Sequence, residues 1–282
     1  MSVSSKRLSS LQWILIRSGA FLARDLRFET SYRLQSLFRL ISVLFQVLTF
    51  YFLAGLVDGE EPRKHLADYG GDYFTFALVG LAFSGFLNSG LLAFTTSLRQ
   101  QMTMGVFEAM AAAPIRSSSF LMYSLQWPIG FELFKSIFYL VVGQTLLGAR
   151  VGLASWPLLL GTLVLSVLVF GSMGIIAGSL ILYFKRGDPI AWFLSSANHL
   201  IGGIIFPVTV LPGWLAWISR LLPVPYALNS LRKSLIPAAD RSDVAGDLVV
   251  LGLFALISIP IALWAARVAV ERCRREGTLG QF

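Results

Sequence analysis

Two ionisable residues of opposite charge, Glu132 and Lys135, stand inside an otherwise apolar stretch that covers residues 121–148. Three residues apart on a helix, they share one face and can neutralise each other. Charges at membrane depth are costly, and they usually face a partner helix or a wet cavity. The pair is therefore either a substrate or gating contact, or a structural pair that locks helix packing. Both interpretations stay open at this point.

A second polar site, Asn198-His199, interrupts the apolar stretch 190–211. It either lines a pathway or makes a hydrogen bond to a neighbouring helix, and the residues alone favour neither interpretation. Three amides inside other apolar stretches are predicted to form hydrogen bonds between helices. They are Gln46, Asn88 and Gln144.

Several kinds of chemistry have no motif in this chain. The sequence contains no Gly-x-x-x-x-Gly-Lys loop for nucleotide phosphates and no Gly-x-Ser-x-Gly nucleophile motif. The two histidines, His65 and His199, are far apart, so no metal-ligand spacing is present. We predict no catalytic residue, no metal site and no bound cofactor in this chain.

The composition is that of a membrane protein. Of 282 residues, 56% are hydrophobic and 13% are charged, with a mean hydropathy of +0.72. A soluble domain carries about a quarter charged residues. The net charge of +8 is interpreted as basic loops that orient the chain and contact lipid headgroups, without nucleic-acid binding.

Long apolar runs predict an all-α membrane protein with six transmembrane helices in a single domain, 1–282. An amphipathic interface helix is expected before the first span, at 9–28, and two re-entrant outer helices are expected at 212–236. The predicted spans are 34–57, 73–98, 121–148, 153–184, 190–211 and 248–268.

The distribution of basic residues predicts the orientation. Most Lys and Arg residues fall in segments on the side of the N-terminus, which the positive-inside rule places in the cytoplasm. Both termini are then cytoplasmic in a multi-pass protein of the cytoplasmic (inner) membrane. No cleavable signal peptide is recognised at the N-terminus.

Residues 103–118, TMGVFEAMAAAPIRSS, form a short helix-favouring run between the second and third spans. Pro114 ends it, because proline cannot continue a helix. The orientation places this run in the cytoplasm, where it either connects two spans or contacts a soluble protein.

The motifs in order resemble the permease subunits of type-2 ATP-binding-cassette (ABC) exporters. Gly105-x-x-Glu108-x-x-x-x-Ala113-Pro114 is similar to their coupling-helix region. A later run is similar to the end of their fifth span and their outer re-entrant helices. That run reads Phe206-Pro207…Leu211-Pro212…Pro223-x-Pro225-Tyr226…Arg232.

The resemblance implies a half-transporter. A second permease copy, which makes a homodimer, or else a paralogue, would pair with it along the first and fifth spans. Two copies of an ABC ATPase subunit would bind ATP and Mg. Six residues would couple to the ATPase: Gly105, Phe107, Glu108, Ala113, Pro114 and Arg116. Eight would line a pathway or gate: Glu132, Lys135, His199, Phe206, Pro207, Trp214, Trp217 and Tyr226.

The function implied is outward export of a hydrophobic or amphipathic substrate, such as a drug, an antibiotic or a lipid-like molecule. Export of a lipid-linked polysaccharide or glycolipid is an alternative. An alternative of another class is an integral membrane enzyme that acts on lipids, with Glu132 or His199 as acid or base. A membrane scaffold or sensor is a third.

Overall fold

Helices form the regular structure of this protein. The computed structural model describes residues 10–31, 33–57, 59–103, 126–184, 189–240 and 243–276. In chain order the helices are α1 Ser10–Ser31, α2 Arg33–Val57, α3 Glu60–His65, α4 Tyr73–Thr103, α5 Gln126–Leu147, α6 Trp156–Phe184, α7 Pro189–Ile201, α8 Gly213–Arg220, α9 Val224–Leu235 and α10 Val244–Glu276. Two 3₁₀ turns, Ala67–Tyr69 and Val208–Val210, complete the regular elements of these ranges.

Five of these helices contain segments long and apolar enough to cross a membrane. The segments are Arg33–Val57, Tyr73–Leu92, Gln126–Leu147, Trp156–Ile181 and Val244–Ala269. They coincide with five of the six predicted spans.

The predicted span at 190–211 differs from the structure. Helix α7 ends at Ile201, and the chain then runs without a helix to the 3₁₀ turn at Val208–Val210. Gly203 has a φ of 75°, a left-handed conformation that glycine adopts without strain and that ends an α-helix. At 1.5 Å per residue, the 13 residues of α7 extend about 20 Å, less than the bilayer core of about 30 Å.

Helix α4 lies at the centre of the molecule. Its span is 78% buried, whereas the span in α2 is 11% buried. Small residues let α6 approach it closely: a Cβ at Gly174 would lie 2.6 Å from the carbonyl oxygen of Gly90. Helix α10 packs on the other side of α6, where Ser172 Oγ donates to Ser258 Oγ. Helices α4, α6 and α10 thus form a packed wall.

The segments predicted to lie outside the membrane meet at one end of the molecule. Asp72 caps α4 by accepting a hydrogen bond from the backbone N–H of Phe74, at 3.1 Å. The α5–α6 connection joins α9, because Gly152 N donates to the Leu235 carbonyl at 2.8 Å. Asp240 N donates to the Asp68 carbonyl at 3.0 Å. Three predicted outer segments are therefore joined by backbone hydrogen bonds.

Two short helices occupy the region predicted to be re-entrant. The side chains of α9 are almost all buried, whereas α8 exposes Trp214 and Trp217. Re-entry of these helices into the membrane stays a prediction.

The predicted interface helix at 9–28 is observed as the helix α1. It is fixed to the bundle where Gln126 Nε2 donates to Ser18 Oγ at 3.2 Å. Glu29, near the end of α1, forms an ion pair of 2.9 Å with Arg39 of α2. A position in the membrane interface stays a prediction for this helix.

Candidate functional site

A polar cavity of about 380 Å³ lies between α2, α4, α5 and α7. We call it the inner cavity. Its lining residues are Gln46, Leu81, Ser84, Gly85, Asn88, Ser89, Leu92, Glu132, Lys135, Tyr139, Ser195 and His199. The structure thus brings together three of the eight predicted pathway residues, which come from two different helices.

The two charges of the inner cavity form a closed pair. Lys135 Nζ donates to Glu132 Oε1 at 2.7 Å and lies 2.6 Å from Oε2. Both side chains keep 21% of their surface exposed, so the pair is partly buried. Gly85 of α4 makes room for it, because a Cβ there would overlap Glu132 Oε2.

Asn88 joins α4 to α7 within the inner cavity. Its Oδ1 accepts from Ser195 Oγ at 3.2 Å, and its Nδ2 lies 3.4 Å from His199 Nδ1. The same imidazole nitrogen lies 3.0 Å from the Ser195 carbonyl oxygen. The predicted interhelical hydrogen bond of Asn88 is therefore confirmed.

Gln46 and Tyr139 connect α2 to α5 across the inner cavity. The Tyr139 hydroxyl donates to Gln46 Oε1 at 2.6 Å, which confirms the predicted hydrogen bond of Gln46. The side chain of Gln144 is exposed, and its hydrogen bond to another helix stays a prediction.

Sequence reasoning missed Tyr139, Ser195, Ser84 and Ser89 as cavity residues. A usable signal was present in α4, where Ser84 and Asn88 are four residues apart and so share a face. Tyr139 and Ser195 gave no comparable signal, because their partners belong to other helices.

A second cavity, of about 540 Å³, lies near α9 and the break after α7. We call it the outer cavity. Pro207 and Tyr226, both predicted gate residues, line it together with Asn229, Arg232 and Asp247. Three further predicted residues lie elsewhere. Phe206 is half-buried outside both cavities, and Trp214 and Trp217 are 67% and 64% exposed.

Arg232 is the most deeply buried cation of the described chain, with 3% of its surface exposed. Its Nη2 donates to the Ile204 carbonyl at 2.8 Å, and its Nε donates to the Phe76 carbonyl at 3.2 Å. The guanidinium also stacks 3.5 Å from the centre of the Phe76 ring. Burial lowers the pKa of Arg232 to about 10, which leaves the side chain charged at neutral pH.

Hydrogen bonds join the remaining polar residues of the outer cavity. The Tyr69 hydroxyl donates to Asn229 Oδ1 at 2.7 Å, and Asn229 Nδ2 donates to Asp247 Oδ2 at 2.6 Å. Burial raises the pKa of Tyr69, so this phenol stays protonated at neutral pH. The network connects the 3₁₀ turn at Ala67–Tyr69 to α9 and α10.

Comparison with known proteins identifies the family of this chain. The family model of the ABC-2 type transporter matches residues 20–236, which include both cavities almost completely. The chain belongs to the ABC-2 type transporter family. Members of this family are membrane components of ABC transporters, and they normally work with an ATPase subunit. The chain is therefore a multi-pass membrane protein of the permease type.

One relative is the protein named ABC transporter G family member 14 from Arabidopsis thaliana. It is 24% identical to this chain over 227 residues, which are 77% of this chain and 32% of that protein. This ABC-2 chain therefore spans about a third of the relative's length.

The residues predicted to couple this ABC-2 chain to an ATPase lie outside the described residues. They are Gly105, Phe107, Glu108, Ala113, Pro114 and Arg116. Helix α4 is described as far as Thr103, and α5 is described from Gln126. The coupling assignment stays a prediction.

Proposed function

We propose that this chain is the permease subunit of an ABC exporter that moves a hydrophobic or amphipathic molecule outward across the cytoplasmic membrane. The observation that carries the proposal is an open cavity with polar lining residues, bordered by three candidate membrane spans and by α7, in a chain of the ABC-2 family. Polar groups at that depth are expensive unless they serve a pathway or a partner helix. The name of the Arabidopsis relative, an ABC transporter, agrees with this function.

Energy would come from another protein. Two copies of an ATPase subunit would bind ATP and Mg on the cytoplasmic side, and two permease copies would form the pathway as a homodimer. Residues 103–118 would act as the coupling helix, on which Glu108 offers a carboxylate to a basic or polar groove of the ATPase. Pro114 would fix the end of that helix.

The two cavities suggest the route. A molecule would enter at the inner cavity, between α4 and α7, and leave near the outer cavity, where α7 has already ended. The short helices α8 and α9 would form the outer gate. The exposed Trp214 and Trp217 suit the boundary between lipid and water, because an indole is apolar with one polar N–H.

Reconstitution tests the proposed function. The chain is purified with its candidate ATPase, inserted into liposomes and supplied with ATP on the ATPase side, and the movement of labelled amphipathic molecules is measured. We expect ATP-dependent transport that is absent when either subunit is omitted. A chain that never recruits an ATPase would refute the proposal. Movement of a lipid-linked glycan but of no small amphipathic molecule would favour the glycan alternative.

Glu108→Ala tests the coupling segment. We expect this variant, and separately Ala111→Gly with Ala112→Gly, to leave ATP hydrolysis running while transport falls. Glu108→Ala removes the carboxylate that would contact the ATPase, and the two glycines remove the stiffness of the helix. Transport per ATP hydrolysed is the measurement. Exposed Glu60 on α3 gives a control, since Glu60→Ala removes the same kind of carboxylate from a segment that precedes α4 and is predicted to face outward. Wild-type transport in the Glu108→Ala variant would contradict the assignment.

A further inference from the structure

We propose that the inner cavity selects an uncharged, hydrogen-bonding group carried on an apolar body, and rejects ions of either sign. The group would be rich in hydroxyls or amides, as in a glycoside or a polyol. The inference rests on the proposed function in one respect, because the group would belong to the transported molecule. Binding to the cavity can nevertheless be measured without transport.

The first step concerns charge. Glu132 and Lys135 are the only carboxylate and the only ammonium that line the inner cavity, among the residues that the structure describes. They neutralise each other as an ion pair at 2.6–2.7 Å, while Glu132 Oε2 accepts no hydrogen bond from a described residue. An ionic ligand would therefore find no opposite charge left over, and it would either stay uncompensated or have to separate the pair. Both outcomes are costly where water is scarce.

The second step concerns hydrogen bonds. Gln46 uses its Oε1 to accept from Tyr139, which leaves its two amide hydrogens for a ligand. Ser84 and Ser89 each donate to a carbonyl of their own helix, at 2.8 Å, so that their oxygens remain as acceptors. The cavity thus presents donors and acceptors together without net charge. A hydroxyl or an amide, which also donates and accepts, matches that pattern.

The third step concerns size and surroundings. A cavity of about 380 Å³ is within the range of small-molecule sites. Leu81 and Leu92 add apolar wall to it. Helix α2, which borders the cavity through Gln46, exposes Phe45 and Leu48 on its outer side. An amphipathic molecule could therefore keep its polar group in the cavity and its apolar part along α2.

Four octyl probes that differ only in the head group test the inference. Octyl β-glucoside is neutral, octylammonium cationic, octyl phosphate anionic and octylphosphocholine zwitterionic. The full-length chain is placed in lipid nanodiscs, and binding below the micellar concentration is measured by equilibrium dialysis against empty nanodiscs. The pH is 8 in every dialysis. We expect the glucoside to bind at least about tenfold more tightly than the other three probes.

Ser89→Phe locates the bound probe, because the introduced ring occupies the inner cavity. We expect it to abolish the specific binding of the glucoside. Equal or tighter binding of an ionic probe by the wild type, sensitive to Ser89→Phe, would overturn the inference. So would a preference for the zwitterion, which would show that the Glu132–Lys135 pair opens to receive two charges. Specific glucoside binding that survives Ser89→Phe would also overturn it.

Charge variants sharpen the test. Glu132→Gln leaves Lys135 uncompensated, so we expect the affinity for octyl phosphate to rise about tenfold. Lys135→Gln leaves Glu132 uncompensated, so the affinity for octylammonium should rise instead. The double variant restores neutrality and should prefer the glucoside again. Unchanged head-group selectivity in the single variants would contradict the proposal.

The chain offers a matched control pair at its surface. Arg24 and Asp25 of α1 form an ion pair of 2.7 Å outside the cavity. Asp25→Asn and Arg24→Gln change the total charge in the same way as the two cavity variants, and neither should alter selectivity. If a single cavity variant does not fold, the affinities of the wild type and of the double variant for the four probes still decide the question.

The inference and the proposed function fail separately. Glucoside binding in the cavity, in a chain that recruits no ATPase, would support the inference and refute the exporter. ATP-driven transport of an ionic molecule that is lost in the Ser89→Phe variant would support the exporter and refute the inference. Transport of neutral amphipathic molecules with the selectivity given above would support both.

Discussion

Arg232 shows how a charge can be buried in this protein without an acidic partner among the described residues. Carbonyl oxygens from α4 and from the stretch after α7 receive its hydrogen bonds, and the face of Phe76 covers its guanidinium. Gly80 of α4 leaves the space, because a Cβ there would lie 2.5 Å from Nη2. One side chain of α9 therefore holds α4 and the broken end of α7 together.

Replacing Arg232 should destabilise the protein strongly. Arg232→Ala leaves the buried Ile204 carbonyl without a donor, removes the second donor of the Phe76 carbonyl and opens a cavity. The expected loss is about 2–4 kcal/mol in the free energy of unfolding. Arg232→Lys keeps the charge, but one ammonium cannot reproduce the planar fork, so an intermediate loss is expected. Thermal unfolding in detergent measures both variants.

The exposed Arg267 of α10 provides the control for this series. Arg267→Ala should change the unfolding temperature little, because surface substitutions rarely matter by more than about 0.5 kcal/mol. Equal unfolding temperatures for Arg232→Ala and Arg267→Ala would refute the clamping role of Arg232.

At the scale of elements, the contact between α4 and α6 depends on the absence of side chains. Gly174 faces the backbone of Gly90 and Leu91, whereas a Cβ at Gly171, on the same helix, would meet nothing within 4 Å. We expect Gly174→Ala to force the helices apart and to cost about 1–3 kcal/mol, as overpacking does. Gly171→Ala should be neutral or slightly stabilising.

Unfolding temperatures of the two alanine variants, measured side by side, test this contact. The comparison is stringent, since both variants add one methyl group to one helix and differ only in what that group meets. A larger loss for Gly171→Ala than for Gly174→Ala would contradict the packing described for α4 and α6.

The sequence predicts the helices better than it predicts the end of α7. Apolar runs predict five long helices correctly, because hydropathy measures compatibility with lipid over about 20 residues. Hydropathy stays high through Phe206 and Val210, although the helix has ended at Ile201. Hydropathy does not report helix continuity, and Gly202-Gly203 was the local signal that ends it.

The candidate site could be predicted only in part, for a physical reason. Glu132, Lys135 and His199 were recognised because a polar residue in an apolar run is visible in one segment alone. Tyr139 and Ser195 become site residues through partners on other helices, and Arg232 looks like an ordinary basic residue of an outer loop. Contacts between segments depend on helix rotation and crossing, which one sequence does not reveal.

At the scale of the whole molecule, the short α7 raises the question of how many times the chain crosses the membrane. Its C-terminal end meets α8, since Ser219 Oγ donates to the Ile201 carbonyl at 2.6 Å. The next residue meets α9, since a Cβ at Gly202 would lie 2.8 Å from Val224 Cγ1. Helix α7 therefore runs toward the end of the molecule that holds the other predicted outer segments. A sixth crossing would therefore combine α7 with the buried non-helical stretch that follows Ile201, and it stays a prediction.

Single cysteines test the sixth crossing in a Cys273→Ser background. Gly187→Cys lies between α6 and α7, and Gly213→Cys lies in open space at the start of α8. An impermeant maleimide should label position 213 only in right-side-out vesicles and position 187 only in inside-out vesicles. Labelling of both positions from one side would mean five crossings.

The glycine contact between α4 and α6 also has a mechanical consequence. The backbones of α4 and α6 are in direct contact, and Ser172 of α6 is hydrogen-bonded to Ser258 of α10. These three helices therefore have little freedom to slide or rotate independently. They should therefore move as one rigid body. Helix α5 is also tied to α4, because Ser136 Oγ donates to the Ala82 carbonyl at 2.6 Å. The remaining degrees of freedom belong to α2 and α7, which border the inner cavity on two sides. Opening and closing of that cavity should thus be a motion of these two helices against a stationary wall.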